Sequence, residues 1–192
     1  MLAMLRNIDT TLYTHRSYVV SEGDAFSRQK ALEFEAQLAD RNPSPATARG
    51  QTNGRPVDEV PPSYDIVTIP RARKIHQSLL TTPISAFHCL AACFRVLYSP
   101  ASSPSQPGYP DLIVTNGPGT AVCVILACLI TRFFGLRGSA GRMRTIYVES
   151  WARVRRLSLS GKILIRCVDR FLVQWQGLRG VAGRAEFIGV LV

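Results

Sequence analysis

The stretch DLIVTNGPGTAVCVILACLITRFFG, residues 111–135, decides the fold of this chain. Its first part, Asp111–Thr115, is a short β-branched run of the kind that forms a buried strand. Residues 116–120, Asn-Gly-Pro-Gly-Thr, form a breaker cluster, and the apolar segment after them is long enough for a helix. A strand–turn–helix junction leaves backbone N–H groups at a helix N-terminus. The pattern therefore predicts either an anion site, suited to phosphate or diphosphate, or an ordinary βα turn.

Strand and helix patterns alternate on both sides of this stretch. Upstream we predict a helical apolar face formed by Met1, Met4, Leu5 and Ile8, strands over 17–20 and 64–69, and a helix over 26–39. A further helix starts at Thr82-Pro83. Downstream we predict strands over 145–150, 169–174 and 186–192, with a short helical region ending near residue 166. This alternation predicts an α/β fold with a Rossmann-like, doubly wound parallel sheet. The packing face predicted for the 82–98 helix contains Leu80, Ile84, Phe87, Ala91, Phe94 and Tyr98.

Length and composition predict one globular domain over residues 1–192, since 46% of the residues are hydrophobic and 19% are charged. Residues 41–62 are rich in Pro, Ser, Thr and Gly, which predicts a disordered insertion, and residues 99–110 predict a flexible loop. The longest apolar run, Ala121–Ile130, is shorter than the about 20 residues that span a bilayer. The N-terminus has no signal-peptide pattern.

The net charge of +10 is unevenly distributed. Residues 1–63 carry 7 basic and 8 acidic side chains, whereas residues 64–192 carry 16 basic and 5 acidic ones. Such a cationic half suits nucleic acid, an anionic membrane surface or a phosphate-bearing substrate, or it is a solvated arginine-rich face.

The five cysteines include no CxxC pair and lie in apolar surroundings, which predicts buried free thiols in a reducing compartment. We predict no metal site and no cofactor. The cysteines are Cys89, Cys93, Cys123, Cys128 and Cys167.

Charged residues follow several predicted strands, at the edge where ligands gather in open α/β sheets. Arg71 and Arg73 lie in a basic turn after the 64–69 strand and are candidate phosphate ligands or part of a solvated loop. Glu149 lies at the end of the 145–150 strand, and Asp24 follows the 17–20 strand. Either carboxylate is a weak candidate for a general base, or it caps a helix or bonds locally.

Several segments together resemble one family: YVVSEGD (18–24), IPRAR (69–73) with Gln77-Ser78, TNGPGT (115–120), and YVESWARVRRLSLSGKILIRCVDRFLVQW (147–175) closing on EFIGVLV (186–192). They are similar to the membrane-anchoring, acceptor-binding subunit of the eukaryotic UDP-N-acetylglucosamine transferase of the dolichol-linked oligosaccharide pathway.

The resemblance implies a domain equivalent to the N-terminal half of a GT-B glycosyltransferase. It implies a subunit of the enzyme that adds the second GlcNAc to GlcNAc-diphosphate-dolichol. This subunit would bind the lipid-linked acceptor and recruit a soluble catalytic subunit, as a heterodimer or larger assembly. The expected location is the cytosolic face of the endoplasmic reticulum membrane or the nuclear envelope, and we expect the chain alone to be inactive.

The resemblance also implies roles for particular residues. The diphosphate contacts would be Asn116, Gly117, Gly119, Thr120, Arg71 and Arg73. The contacts with the partner subunit would be Ile188, Val190, Leu191 and Val192. Family members begin with a membrane helix, a first strand and a Gly-Gly-His loop. None is found here, so we expect an N-terminal truncation that removes the anchor, the first strand and half of the diphosphate cradle.

Two alternatives remain. A self-contained nucleotide-binding Rossmann enzyme would carry a GxGxxG fingerprint and a following acidic residue, which the chain lacks. A basic nucleic-acid-binding protein would place stacking aromatic residues among its arginines, and only Trp151 and Trp175 lie near them. The resemblance itself implies no nucleic-acid partner.

Overall fold

A computed structural model describes residues 2–41, 63–73, 82–98, 108–136, 139 and 142–190. These residues divide into two compact units, residues 2–68 and residues 69–192. The predicted single domain stays a prediction, and residues 42–62 and 99–107 of the predicted insertion and loop lie outside the described ranges. The elements are β1 His15–Ser21, α1 Ala25–Arg41, β2 Ser63–Ile69, α2 Thr82–Tyr98, β3 Leu112–Asn116, α3 Thr120–Phe133, β4 Arg144–Val148, α4 Leu159–Leu164, β5 Arg170–Val173 and β6 Ala185–Phe187.

The smaller unit is built on the pairing of β1 with β2 and on α1. Its start is a single 3-10 turn, Leu2–Leu5, where the sequence predicted a longer helical face. In its interior the Arg16 guanidinium donates to both oxygens of Glu35, at 2.7 Å each, and the Tyr18 hydroxyl donates to the same carboxylate. Because Glu35 is buried, this bidentate pair satisfies a charge that would otherwise be costly.

The larger unit contains a four-stranded sheet in the order β3-β4-β5-β6. All three pairings are parallel, and the register opposes Asn116 to Val148 and Val173 to Phe187. Parallel strands need crossover connections, and α3 and α4 supply the first two. The α/β, Rossmann-like prediction is therefore confirmed. Because the strands are parallel, their carboxyl ends lie along one edge, which we call the carboxyl edge.

The core of the larger unit lies on β4, β5 and α3. Tyr147 and Phe171 are fully buried and stack with their ring centroids 5.2 Å apart. Ile125 of α3 and Val173 of β5 have no exposed surface. Such burial is typical of parallel strands that are covered on both faces.

The packing face predicted for α2 is wrong at its N-terminal end. Ile84 and Phe87 are each 73% exposed, whereas Cys89, Cys93 and Leu97 are buried. The Cys123 thiol of α3 lies 3.7 Å from the carbonyl oxygen of Ala86. Small thiol side chains allow this close approach of the two helices, which the larger Phe87 ring would prevent. Leu80 lies outside the described ranges.

Two other boundaries differ from the prediction. The helical region expected up to residue 166 is confined to α4, and the last strand, expected over 186–192, is the three-residue β6. Where the structure describes the chain, no helix combines the length and the apolar character needed to cross a bilayer.

Candidate anion site at the carboxyl edge of the parallel sheet

The turn between β3 and α3 has the backbone of a glycine-dependent junction. Gly117 and Gly119 have φ of +89° and +25°, values that favour glycine. Gly119 is the N-cap residue of α3, and no side chain in the described part of the chain caps this helix. The Ala121 N–H already donates to the Pro118 carbonyl within this turn, at 3.1 Å. What the helix N-terminus offers to an anion is therefore chiefly the positive end of the helix dipole. The predicted turn therefore has the geometry that anions favour.

The predicted basic loop lies directly against this turn. Ala72 is buried, and a Cβ atom built on Gly119 would lie 3.3 Å from the Ala72 Cβ. On its other side the loop is held by α2, where the Ser85 hydroxyl donates to the Ala72 carbonyl at 2.9 Å. Arg71 is half-buried and Arg73 is exposed. The structure thus places both predicted arginines beside the residue that contacts the glycine turn.

Tyr147 forms a hydrogen bond to the glycine turn from the buried side of the sheet. The sequence did not predict this contact. Its hydroxyl donates to the Gly117 carbonyl at 3.2 Å and lies 3.5 Å from the Ser158 hydroxyl. Burial raises the pKa of Tyr147, so its hydroxyl stays a donor. No local pattern distinguishes this tyrosine from any other buried strand residue, because its partner is 30 positions away.

Glu149 has the geometry of a structural carboxylate. It is 1% exposed. Its Oε1 accepts from the Ser150 N–H at 2.9 Å, and its Oε2 accepts from the Ser158 N–H and hydroxyl at 3.0 and 3.1 Å. These contacts correspond to the local hydrogen bonding that the sequence left open as the alternative to a general base. A catalytic role for Glu149 stays a prediction.

Gly161 of α4 packs against the same carboxylate. A Cβ atom at this position would overlap Glu149 Oε2 and lie 3.2 Å from Glu149 Cδ. The sequence alone did not predict this contact. The sequence feature that could have indicated it is an isolated glycine inside a helical pattern, which often marks a close packing contact.

Asp24, the second carboxylate candidate, belongs to the smaller unit. It immediately precedes α1 and accepts from the Ser27 N–H at 3.0 Å and from the Ser27 hydroxyl at 2.7 Å. This is the pattern of an N-cap residue.

The residues predicted to contact a partner follow β6. Ile188 and Val190 are exposed, and the Ile188 N–H donates to the Val173 carbonyl at 3.2 Å. Leu191 and Val192 lie outside the described ranges. A role in partner binding stays a prediction for all four.

The thiols are free. Cys167 is exposed, so the prediction of burial is wrong for this cysteine, whereas the other four are buried. Cys167 follows α4, whose outer face is exposed. Within the ranges that the structure describes, no group of three or more His, Cys, Asp or Glu side chains is arranged to hold a metal ion.

These features define an α/β protein of the Rossmann type, with a glycine turn and a basic loop forming a candidate anion site at its carboxyl edge. The chain belongs to the family described as "Oligosaccharide biosynthesis protein Alg14 like", whose model matches residues 1–191. The family predicted from the sequence motifs is therefore confirmed.

Its relatives include three proteins named UDP-N-acetylglucosamine transferase subunit Alg14. The protein of Aspergillus fumigatus is 40% identical, with 100% of both chains covered. That of Schizosaccharomyces pombe is 39% identical over 100% of this chain and 76% of the relative. The human protein is 32% identical over 94% of this chain and 71% of its own length. No solved structure matches the chain.

Proposed function

We propose that this chain is the acceptor-binding subunit of a two-component UDP-N-acetylglucosamine transferase, which adds the second GlcNAc to GlcNAc-diphosphate-dolichol. The family and the names of its members support a transferase subunit. The observation that carries acceptor binding is the contact between Gly119 and Ala72, which brings the basic loop against the glycine turn. A lipid diphosphate concentrates negative charge on a few oxygens, and this edge offers the positive end of a helix dipole together with guanidinium groups.

Tyr147 has a positioning role in this proposal. A carbonyl oxygen that faced a diphosphate would repel it. The Tyr147 hydroxyl binds the Gly117 carbonyl from the buried side of the sheet. This hydrogen bond keeps the carbonyl turned away from the anion, which lies at the positive end of the α3 dipole.

The proposed assembly has two halves, as in a GT-B glycosyltransferase. This chain binds the lipid-linked acceptor, and a separate soluble subunit carries the UDP-sugar site. The exposed side chains of Ile188 and Val190 support a contact with that subunit near the end of β6, which Leu191 and Val192 would extend. The complex works at the cytosolic face of the endoplasmic reticulum membrane, and this chain is inactive without its partner.

The test compares two glycines with the same backbone requirement. Gly117 and Gly135 have φ of +89° and +59°, and a Cβ atom at either meets no atom within 4 Å. Alanine at either position therefore introduces similar backbone strain, about 1–2 kcal/mol. Gly135 follows α3 at its other end, so Gly135→Ala is a matched control.

GlcNAc transfer to dolichol-diphosphate-GlcNAc is measured with the partner subunit present. We expect Gly117→Ala to raise the KM for the acceptor and Gly135→Ala to leave it unchanged. Arg71→Gln with Arg73→Gln should raise this KM at least about ten-fold, since one charge-assisted hydrogen bond contributes about 1.5–3 kcal/mol. Equal KM values for the Gly117 and Gly135 variants, with no effect of the arginine replacements, would disprove the site.

A further inference from the structure

The segment between β4 and α4, residues 150–157, forms a loop with a rigid base, which we call the arginine loop. Glu149 accepts hydrogen bonds from the backbone N–H groups of Ser150 and Ser158, one at each end of the loop. The indole N–H of Trp175 donates to the Trp151 carbonyl at 2.7 Å. The loop is thus closed by hydrogen bonds to the ends of β4 and β5, and its tip projects from a fixed base.

The tip exposes basic and apolar side chains together. Arg153, Arg155 and Arg156 are exposed, and no ion pair among the described residues includes any of them. Trp151 and Val154 are 51% and 46% exposed. Arginine beside tryptophan and an aliphatic residue is the composition of surfaces that lie in the interfacial layer of a bilayer.

The arginine loop lies on the same edge as the candidate anion site. It follows the carboxyl end of β4, which pairs directly with β3, and Val148 opposes Asn116 in the register. Paired strands lie about 4.8 Å apart. The diphosphate of a lipid-linked sugar lies in the headgroup layer of its membrane. An edge that binds this diphosphate must therefore approach the bilayer surface, and it carries the arginine loop with it.

We propose that the arginine loop docks on an anionic bilayer surface, with its three arginines on lipid phosphate groups and with Trp151 and Val154 in the interfacial layer. This inference rests on the proposed function, because the acceptor determines which edge faces the membrane. A bilayer suits the loop better than single-stranded nucleic acid does. The exposed apolar groups include the aliphatic Val154, and the Trp151 ring lies 6.4 Å from that of Trp175 in a tilted pair rather than standing free for base stacking.

The test is co-sedimentation of the full chain with vesicles of phosphatidylcholine alone or mixed with phosphatidylserine. We expect binding to the mixed vesicles and weaker binding to phosphatidylcholine. The variant Arg153→Gln/Arg155→Gln/Arg156→Gln should bind mixed vesicles on the order of a hundred-fold more weakly, at roughly five-fold for each arginine near the surface. Replacement of the same three residues by lysine should preserve binding, because the attraction depends on charge.

The opposite edge offers a matched control. Phe133 and Phe134 form an edge-to-face pair at the C-terminal end of α3 and are 84% and 66% exposed. A helix of 14 residues is about 20 Å long, so this pair lies far from the glycine turn. We expect Phe133→Ser/Phe134→Ser to bind vesicles like the unchanged chain. Loss of vesicle binding in this variant, with binding retained in the glutamine variant, overturns the proposal.

Thermal unfolding monitored by circular dichroism first establishes that each variant folds. With the partner subunit present, the glutamine variant should lose transfer to acceptor in vesicles but keep transfer to acceptor in detergent micelles. Gly117→Ala should impair both, and its failure to do so would count against the diphosphate site without affecting the vesicle result. If the glutamine variant loses the partner subunit or an RNA ligand while still binding vesicles, the loop is a protein or RNA surface and the proposal is wrong.

Discussion

Replacing Gly161 by alanine has two opposite effects on the free energy of unfolding, a gain in helix propensity and a steric overlap. In an exposed helix interior, glycine to alanine stabilises a protein by about 1 kcal/mol, because glycine is the poorer helix former. At Gly161 the added methyl group would overlap Glu149 Oε2. The carboxylate is buried and held by three hydrogen bonds, so it cannot move aside without losing them.

The size of the net effect follows from those bonds. A hydrogen bond to a charged group contributes about 1.5–3 kcal/mol. Displacing the carboxylate far enough to lose two of them costs about 3–6 kcal/mol, and the helix-propensity gain offsets about 1 kcal/mol. We therefore expect Gly161→Ala to lower the free energy of unfolding by about 2–5 kcal/mol.

The assay is urea unfolding followed by circular dichroism, with the replacement made in three backgrounds. In the unchanged chain and in Glu149→Gln, whose side chain has the same length, Gly161→Ala should destabilise. In Glu149→Ala the overlap is gone and only the Ser158 hydroxyl, 3.1 Å from the added Cβ atom, stays close, so the same replacement should be about neutral. An equal loss in all three backgrounds, or no loss in the unchanged chain, would refute the reasoning.

Two further predictions concern hydrogen-bonded side chains. Tyr147→Phe should cost about 0.5–1.5 kcal/mol of unfolding free energy and raise the acceptor KM with kcat unchanged, since it frees the Gly117 carbonyl; an unaltered KM in steady-state assays would remove the positioning role. In the smaller unit, burial alone raises the pKa of Glu35, but the bonds from Arg16 and Tyr18 outweigh it and hold that pKa below its ordinary value. The stability from this pair is therefore fully present above the unfolded-state pKa and is lost as the pH falls through the lower folded-state pKa. The gap in unfolding free energy between the unchanged chain and Arg16→Gln should accordingly stay constant from about pH 7 to about pH 5 and narrow as the pH falls below about 4, and a gap that stays constant down to about pH 3 would contradict the assignment.

The sequence predicted the features that depend on a few neighbouring residues. The glycine turn at 116–120 could be predicted, because breaker residues and a preceding β-branched run specify the backbone conformation of their own segment. Glycine is the residue type that commonly follows the end of a helix, and Gly135 follows α3 with φ of +59° and its N–H donating to the Arg132 carbonyl. The approach of Arg71 and Arg73 to the turn did not follow from the expected single parallel sheet, because β2, which precedes them, pairs with β1 in a separate sheet. Their position beside the turn follows from the close packing of Ala72 against Gly119.

The sequence could not decide which face of α2 is buried. Apolar residues of this helix lie on more than one of its faces, with Ile84 and Phe87 on one face and Cys89 and Cys93 on another. Periodicity alone favours the larger side chains. The neighbouring α3 instead selected the small thiols, since they permit the close approach of Ala86 and Cys123.

By itself, then, the amino-acid sequence determined the α/β class, the glycine turn and the family of this protein, because these follow from short patterns and their order along the chain. Only the tertiary structure determined which residues hold the site in place. Tyr147 reaches the turn, Glu149 closes the arginine loop, and Gly161 makes room for that carboxylate. Each of these contacts joins residues separated by 9 to 30 positions. A buried hydroxyl or carboxylate takes its role from the partners that folding brings to it, and residue type alone does not specify them.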